Sequence, residues 1–338
     1  MTRRAERPSP EALAALPVAV DAMGGDRAPT EIVAGAAEAH AAGIPVVLVG
    51  PSELVGDTAG LDLVACTEVI AMDEDPAASV RRKKDSSLVR AAELVRDGRA
   101  CAMVSAGNTG ATMASALLRM GRLPGVVRPA IATPLPRLGG PPAVLVDAGA
   151  NSECTAAMLV QFAQMASAYA ADRYEIVEPS VALLSIGEEP SKGTPLVKET
   201  HQLLVTGDAG VRFVGNLEGR DLLGSPADVV VTDGFTGNVA LKALEGSLRF
   251  LLETLLGVFA TDESTRAAAE VLTPYLAPVA AQLDPEGTGG AILLGVDGVC
   301  VISHGSSSAT AVRNAVAVGR DLAVGGVVER LAKAVAAP

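Results

Sequence analysis

At 338 residues, 49% of them apolar, the chain is long enough to bury a large core and too apolar to be disordered. Its formal net charge of −12 excludes a general nucleic-acid binder, which needs Lys and Arg to displace counterions. With no Trp, three Tyr and five Phe, the core must be packed with Val, Leu, Ala and Ile, as where helices cover a sheet.

Residues 1–16 carry Arg3, Arg4 and Arg7 among Pro and Ala and lack the apolar core of a signal segment, so a disordered extension is expected there. Residues 17–335 read as a single α/β domain. A strand is expected over 18–23, then a helix over 30–42 and a strand over 45–49. A helix over 86–96 precedes a strand over 100–105, and a helix over 109–120 precedes a strand over 143–147. The pattern continues with a helix over 155–171, strands over 181–186 and 228–232, a helix over 238–256 and a last strand over 299–303. Such alternation gives a three-layer α/β/α doubly wound, Rossmann-like sheet. Residues 261–290 break the pattern. They are Ala-rich, interrupted by Pro274, Pro278 and Pro285, and end in Gly-Thr-Gly-Gly, which predicts a helical excursion, as a hairpin or lid. No apolar run approaches the ~20 residues that span a bilayer.

Gly and small polar residues follow directly after five of these strands. The loops hold Asp21, Gly24 and Gly25; Gly107, Asn108, Thr109 and Gly110; Asp147 and Asn151; Asp233 and Asn238; and His304, Gly305 and Ser306. In a doubly wound sheet such turns share the carboxyl edge, where ligands bind. Each precedes a helix whose first N–H groups lack partners, which favours an anion, phosphate above all. No GxGxxG with a downstream acid, no GxxxxGK[ST] and no GxSxG occurs, so neither a nucleotide fingerprint nor a hydrolase serine is present. Cys66, Cys101, Cys154 and Cys300 form no CxxC pair and read as free thiols of a reducing cytoplasm. No metal site and no cofactor is expected.

Three groups of charge stand out. Lys192, beside Gly193 at a strand end, is placed to clamp an oxyanion. His304 sits in the last Gly-rich loop, able to serve a phosphate or a leaving group. Arg81, Arg82, Lys83 and Lys84 form the one concentrated basic run of an acidic chain, a dock for an acidic partner or an anionic substrate tail.

The stretches VDAMGGDRAP, RRKKDSSLVRAAELV, SAGNTGATMASALL, DAGANSEC, LLSIGEEPSKG, DVVVTDGFTGNVALKALEG and VCVISHGSSSA resemble, in order and from Val18 to about Val318, the phosphate acyltransferases of bacterial phospholipid synthesis. The resemblance implies a homodimer with the fold of the isopropylmalate dehydrogenase and phosphotransacetylase group. It implies transfer of a long-chain acyl group from acyl carrier protein to inorganic phosphate, giving acyl phosphate for a downstream membrane glycerol-3-phosphate acyltransferase. Under that reading Gly107, Asn108, Thr109 and Lys192 hold phosphate. Asn151, Asn238 and the 304–306 loop orient the carbonyl and the leaving sulfur, Asp21 and Asp233 position the loops, and the basic run docks the carrier. The enzyme is expected in the cytoplasm, with peripheral contact to the membrane. Two departures are visible: Arg27 stands where the family often has His, and 261–290, which resembles a membrane-touching hairpin, has one basic residue, Arg266. The alternatives are a phosphotransacetylase-like enzyme using a small acyl-coenzyme A, a decarboxylating dehydrogenase, and a non-catalytic fatty-acid or anion carrier.

Overall fold

The computed structural model describes residues 9–336 apart from 138, 208 and 225. The first half contains α1 (Pro10–Ala15), β1 (Val18–Asp21), α2 (Thr30–Ala41), β2 (Val46–Gly50), α3 (Ser52–Val55), β3 (Asp62–Ala65), α4 (Pro76–Arg82), α5 (Ser87–Arg96), β4 (Ala102–Ser105) and α6 (Thr109–Arg119). Next come β5 (Ala130–Leu135), β6 (Ala143–Val146), α7 (Ala156–Tyr174), β7 (Ser180–Ser185), α8 (Pro195–Val205), β8 (Arg212–Glu218) and β9 (Val229–Val231). The chain closes with α9 (Gly234–Phe259), α10 (Glu263–Leu283), β10 (Ala291–Leu294), β11 (Cys300–Ile302), α11 (Ala309–Gly325) and α12 (Val327–Ala336).

All strands join one mixed sheet in the order β3-β2-β1-β4-β11-β10-β5-β6-β9-β7-β8. Side chains alternate across it, as the strand period of two requires. Val18, Val20, Val181 and Leu183 face the core formed with α2, α7 and α11. Ala19 and Met103 face the opposite core with α5 and α6, while Ala182 and Leu184 face a third cluster on which Ala240, Leu241 and Leu244 of α9 pack. Helices therefore lie on both faces, the doubly wound arrangement.

The sheet is not parallel throughout. β3, β2, β1, β4 and β11 run one way. β10 is antiparallel to β11, β5 to β10 and β6 to β5, and β9, β7 and β8 are parallel to β6. Three reversals leave the two parallel blocks pointing in opposite directions. The five Gly-rich loops consequently do not share one edge: those after β1, β4 and β11 belong to one block, those after β6 and β9 to the other. This corrects the single carboxyl edge expected from the sequence. The reversing strands carried weak signals, since Pro134 interrupts β5 and β10 follows the Gly-rich end of the excursion.

One row of paired residues nevertheless crosses the sheet: Val20, Val104, Val301, Ile292, Ala132, Val146, Val231. It reaches the carboxyl ends of both blocks. Val104 and Val146 lie four strand steps apart, about 19 Å.

Residues 9–16 depart from the extension expected there. Ser9 caps α1 through the Ala12 amide, and Leu13 and Leu16 pack against the main core, so disorder does not hold for 9–16. Arg3, Arg4 and Arg7 lie outside the described residues. The excursion begins with α9, turns at 260–262, where Asp262 and Thr265 form a capping box, and returns as α10, which has no buried residue. Among the described residues no helix is long and apolar enough to cross a membrane.

Phe162, fully buried on α7, anchors the main core. Phe162→Ala should cost about 3–5 kcal/mol in urea unfolding through the cavity it leaves.

Candidate functional site

The first block builds its loops around a buried carboxylate. Asp21, at the end of β1, accepts the Ser105 hydroxyl at 2.7 Å and the Met23 amide at 3.2 Å. Ser105 in turn accepts the Gly107 amide at 3.0 Å, so the turns after β1 and β4 are tied through one hydroxyl. They touch at Gly24, where a Cβ would stand 2.6 Å from Asp21 Oδ2 and 2.7 Å from the Gly107 nitrogen; only glycine fits. The β11 loop joins them, because the Asp26 amide donates to the Gly305 carbonyl at 2.8 Å beside Gly25. Thr109 and Gly110 then open α6, and Thr109 and Ser306 are exposed. The Asn108 side chain is held in the loop: its Oδ1 caps the helix through the Ala111 amide at 3.0 Å, and its Nδ2 donates to the Met72 and Glu74 carbonyls. Both amide hydrogens are thereby committed to fixing the loop.

The second block repeats the device. Asp147, fully buried after β6, accepts five hydrogen bonds: Ile131, Gly149 and Ala150 amides on Oδ1, and the Asn151 amide and side chain on Oδ2. Asn151 Nδ2 also donates to the Pro129 carbonyl at 2.9 Å. The Asn151 carbonyl receives the Gly234 amide at 2.8 Å, and Asp233 caps α9 through Thr236, docking the β9 loop onto the β6 loop. Contact is closest at Gly237, where a Cβ would stand 2.0 Å from the Asp147 carbonyl oxygen. Asn238 is exposed beside Gly149. Lys192 is exposed on the loop after β7, two strands beyond β6, and its ammonium meets no acceptor among the described residues. Cys154 lies here with its thiol 3.6 Å from the Asn151 carbonyl, and burial pushes it up to about 11, which keeps it a thiol.

The sequence pattern thus identified two sets of residues and not one. Asp21, Gly24, Gly25, Gly107 and Gly305 are brought together, as are Asn151, Asp233 and Asn238; Lys192 stands with the second set. Reading single residues for contact with a ligand gave no role to Asp147, which was named in its loop, or to Ser105. For Asp147 the signal was present: an Asp follows the strand in both DAMGGD and DAGAN. The two sets are bridged by α9. Its first turn belongs to the Asp147 loop, and its third brings Lys242 and Glu245 to His304 of the first block.

The basic run is only partly a surface. Arg81, Arg82 and Lys84 are exposed, but Lys83 points inward, donating to the Val69 carbonyl at 2.6 Å and to Glu74. Glu74 also accepts the Ala71 amide, the Ser79 hydroxyl and Arg82, and these hydrogen bonds, the Ala71 amide foremost, hold its carboxyl down to about 2. Lys83 is therefore removed from the docking set. No group of three or more metal-ligating side chains forms a metal site among the described residues.

Fold and site together define a mixed α/β protein with Gly-rich loops at the carboxyl ends of two opposed parallel blocks. The fold is that of EutD phosphotransacetylase from Staphylococcus aureus, with a TM-score of 0.59 at 17% identity over 93% of this chain and 96% of that one. A phosphotransacetylase from Streptococcus pyogenes gives 0.61 at 19% identity over 94% and 96%. A 4-hydroxythreonine-4-phosphate dehydrogenase from Klebsiella pneumoniae gives 0.50 at 13% identity over 91% and 99%.

Sequence relatives are closer. The chain is 46% identical over 329 residues to a phosphate acyltransferase of Elusimicrobium minutum, covering 94% of this chain and 96% of the relative. It is 47% identical over 313 residues to one of Heliobacterium modesticaldum, covering 90% and 92%. Residues 16–330 match the model of the family described as fatty acid synthesis protein. The chain belongs to that family, and within it to the phosphate acyltransferases; it is an acyltransferase enzyme.

Burial raises the Asp21 carboxyl above the ordinary aspartate range, only partly offset by hydrogen bonds from Ser87, Ser105 and Met23. An acid whose folded pKa is raised binds its proton more tightly when folded, so stability falls as pH rises from the ordinary range through the raised value. Asp21→Asn abolishes that dependence. The Tm difference between variant and wild type, followed against pH, should move in the variant's favour across this window and stay flat below it.

Proposed function

We propose that the enzyme moves a long-chain acyl group from acyl carrier protein to inorganic phosphate. The observation that carries this reading is the match to phosphate acyltransferases over nearly the whole chain. The loops are compatible with it. Phosphate is itself the nucleophile, so no serine or cysteine nucleophile is required. Its hydroxyl oxygen attacks the thioester carbonyl carbon, the carbon–sulfur bond breaks, and the phosphate proton ends on the leaving sulfur. Acyl phosphate and free carrier thiol result.

The Gly25 turn and the first-turn amides of Thr109 and Gly110 form the phosphate cradle, with Gly24 and Gly107 shaping it, and a helix start there favours a dianion. Asn108 and Asp21 hold that cradle in shape. Lys192 approaches from the other block as the mobile cation of the clamp. Asn238, Asn151 and the His304–Ser306 loop orient the carbonyl and the leaving sulfur, and Asp233 fixes the start of α9. Such positioning and oxyanion stabilisation account for most of the catalysis required.

The exposed Arg81, Arg82 and Lys84 face receives the acidic carrier. Phe250, Leu251 and Val258 on α9, with Val271 and Tyr275 on α10, are exposed and apolar, which supports a homodimer through this arm. The enzyme works in the cytoplasm, in peripheral contact with the membrane, where a glycerol-3-phosphate acyltransferase consumes the product.

Three measurements test this. Phosphate-dependent release of thiol from palmitoyl carrier protein should exceed that from acetyl-coenzyme A. Lys192→Ala should lower that release at limiting phosphate by about 10-fold or more, as loss of a charge-assisted contact does; full activity there would refute the clamp. Reversing Arg81 and Lys84 to Glu should raise KM for the carrier substrate several-fold at low salt, with little change in kcat.

A further inference from the structure

His304 of the β11 loop meets two side chains of α9, Lys242 and Glu245. Glu245 and Lys242 sit one helical turn apart on the face of α9 that meets the β11 loop. Glu245 Oε1 lies 3.1 Å from His304 Nε2, and its Oε2 lies 2.8 Å from Lys242 Nζ. Lys242 Nζ is itself 3.2 Å from the same Nε2. One nitrogen cannot answer both neighbours. A carboxylate only accepts and an ammonium only donates. If Nε2 carried a lone pair, it would face the carboxylate oxygen with no hydrogen between them. If Nε2 carries the hydrogen, it donates to Oε1 in a charge-assisted bond, and Lys242 turns its hydrogens to Oε2 at the shorter 2.8 Å, making no hydrogen bond to the ring and keeping the carboxylate ionised.

We propose that Glu245 is a positioning residue for His304, holding its ring in the Nε2–H tautomer and leaving Nδ1 as the proton-accepting atom. The inference rests on the acyl-transfer reading for its catalytic part. Nδ1 takes the proton from the attacking phosphate hydroxyl as the oxygen–carbon bond forms, and the ring becomes an imidazolium beside the Glu245 carboxylate. It returns that proton to sulfur as the carbon–sulfur bond breaks, so charge and protons balance over the cycle. A carboxylate that orients an imidazole and stabilises its cation is the logic of an acid–base dyad. Lys242 acts on Glu245 and not on the substrate.

The carboxyl group itself agrees with this placement. Burial alone would raise Glu245, but the hydrogen bonds from His304 and Lys242 outweigh it and bring the group down to about 2. It is therefore an anion at neutral pH.

The chain has three histidines, so ring nitrogen-15 spectra assign His304 by comparison with His304→Ala. In the wild type, His304 should show protonated Nε2 and unprotonated Nδ1; in Glu245→Gln, whose amide can donate as well as accept, the two tautomers should mix. The same variant should lower kcat for phosphate-dependent thiol release on the order of 10- to 100-fold, as for other groups that orient a working imidazole. KM for the acyl donor should change less than about twofold, and Glu245→Asp should recover most of the rate. An unchanged tautomer in Glu245→Gln, or a wild-type kcat, overturns the proposal. If the wild type releases no thiol, the acyl-transfer reading fails, and the ring spectra still decide whether Glu245 sets the tautomer.

Discussion

The antiparallel run through β10 and β5 is the constraint on which the rest of this molecule depends. A parallel sheet places all its ligand-binding turns on one edge. Here two strands laid against the grain divide it into opposed blocks, and each block brings its own carboxyl ends to the same cross-sheet row. The candidate site is therefore assembled from two half-sites about four strand spacings, about 19 Å, apart along the sheet.

Both half-sites are organised the same way. A buried aspartate at a strand end gathers neighbouring N–H or O–H groups and presents none of its own charge to solvent. Asp147 does this with five hydrogen bonds, enough to satisfy the acceptor capacity of a carboxylate in a place where an unpaired charge would be costly. Asp21 has fewer partners, reaching Gly107 through the Ser105 hydroxyl, and its carboxyl is raised by burial. Around both, glycines let one turn lie against the next at distances that no side chain permits.

Much of this was legible in the residues. The seven runs read as strands all contain strands, because none is a sheet edge and each is buried on both faces, which leaves a nearly continuous apolar run. The four that escaped have physical reasons. β3 and β8 are the edges of the sheet, and their exposed positions admit Asp62 and Arg212. β5 contains Pro134, and β10 is four residues long behind two glycines. Losing β5 and β10 lost the direction reversal, and with it the division of the site. Residue identity also pointed to Asn108 and Lys83 as surface chemistry, whereas their side-chain atoms are taken up by Met72, Glu74 and Val69, partners at least nine positions away. Long-range pairing of this kind leaves no mark on local spacing. The Glu245–His304 contact, 59 positions apart, is another case.

α9 spans 26 residues, about 39 Å of continuous helix. Its root is wedged under the Asp147 carbonyl at Gly237, its middle meets His304, and its outer turns stand in solvent with their apolar side chains uncovered. One helix thereby ties loops of both half-sites together, and its outer turns carry apolar surface that neither half-site uses.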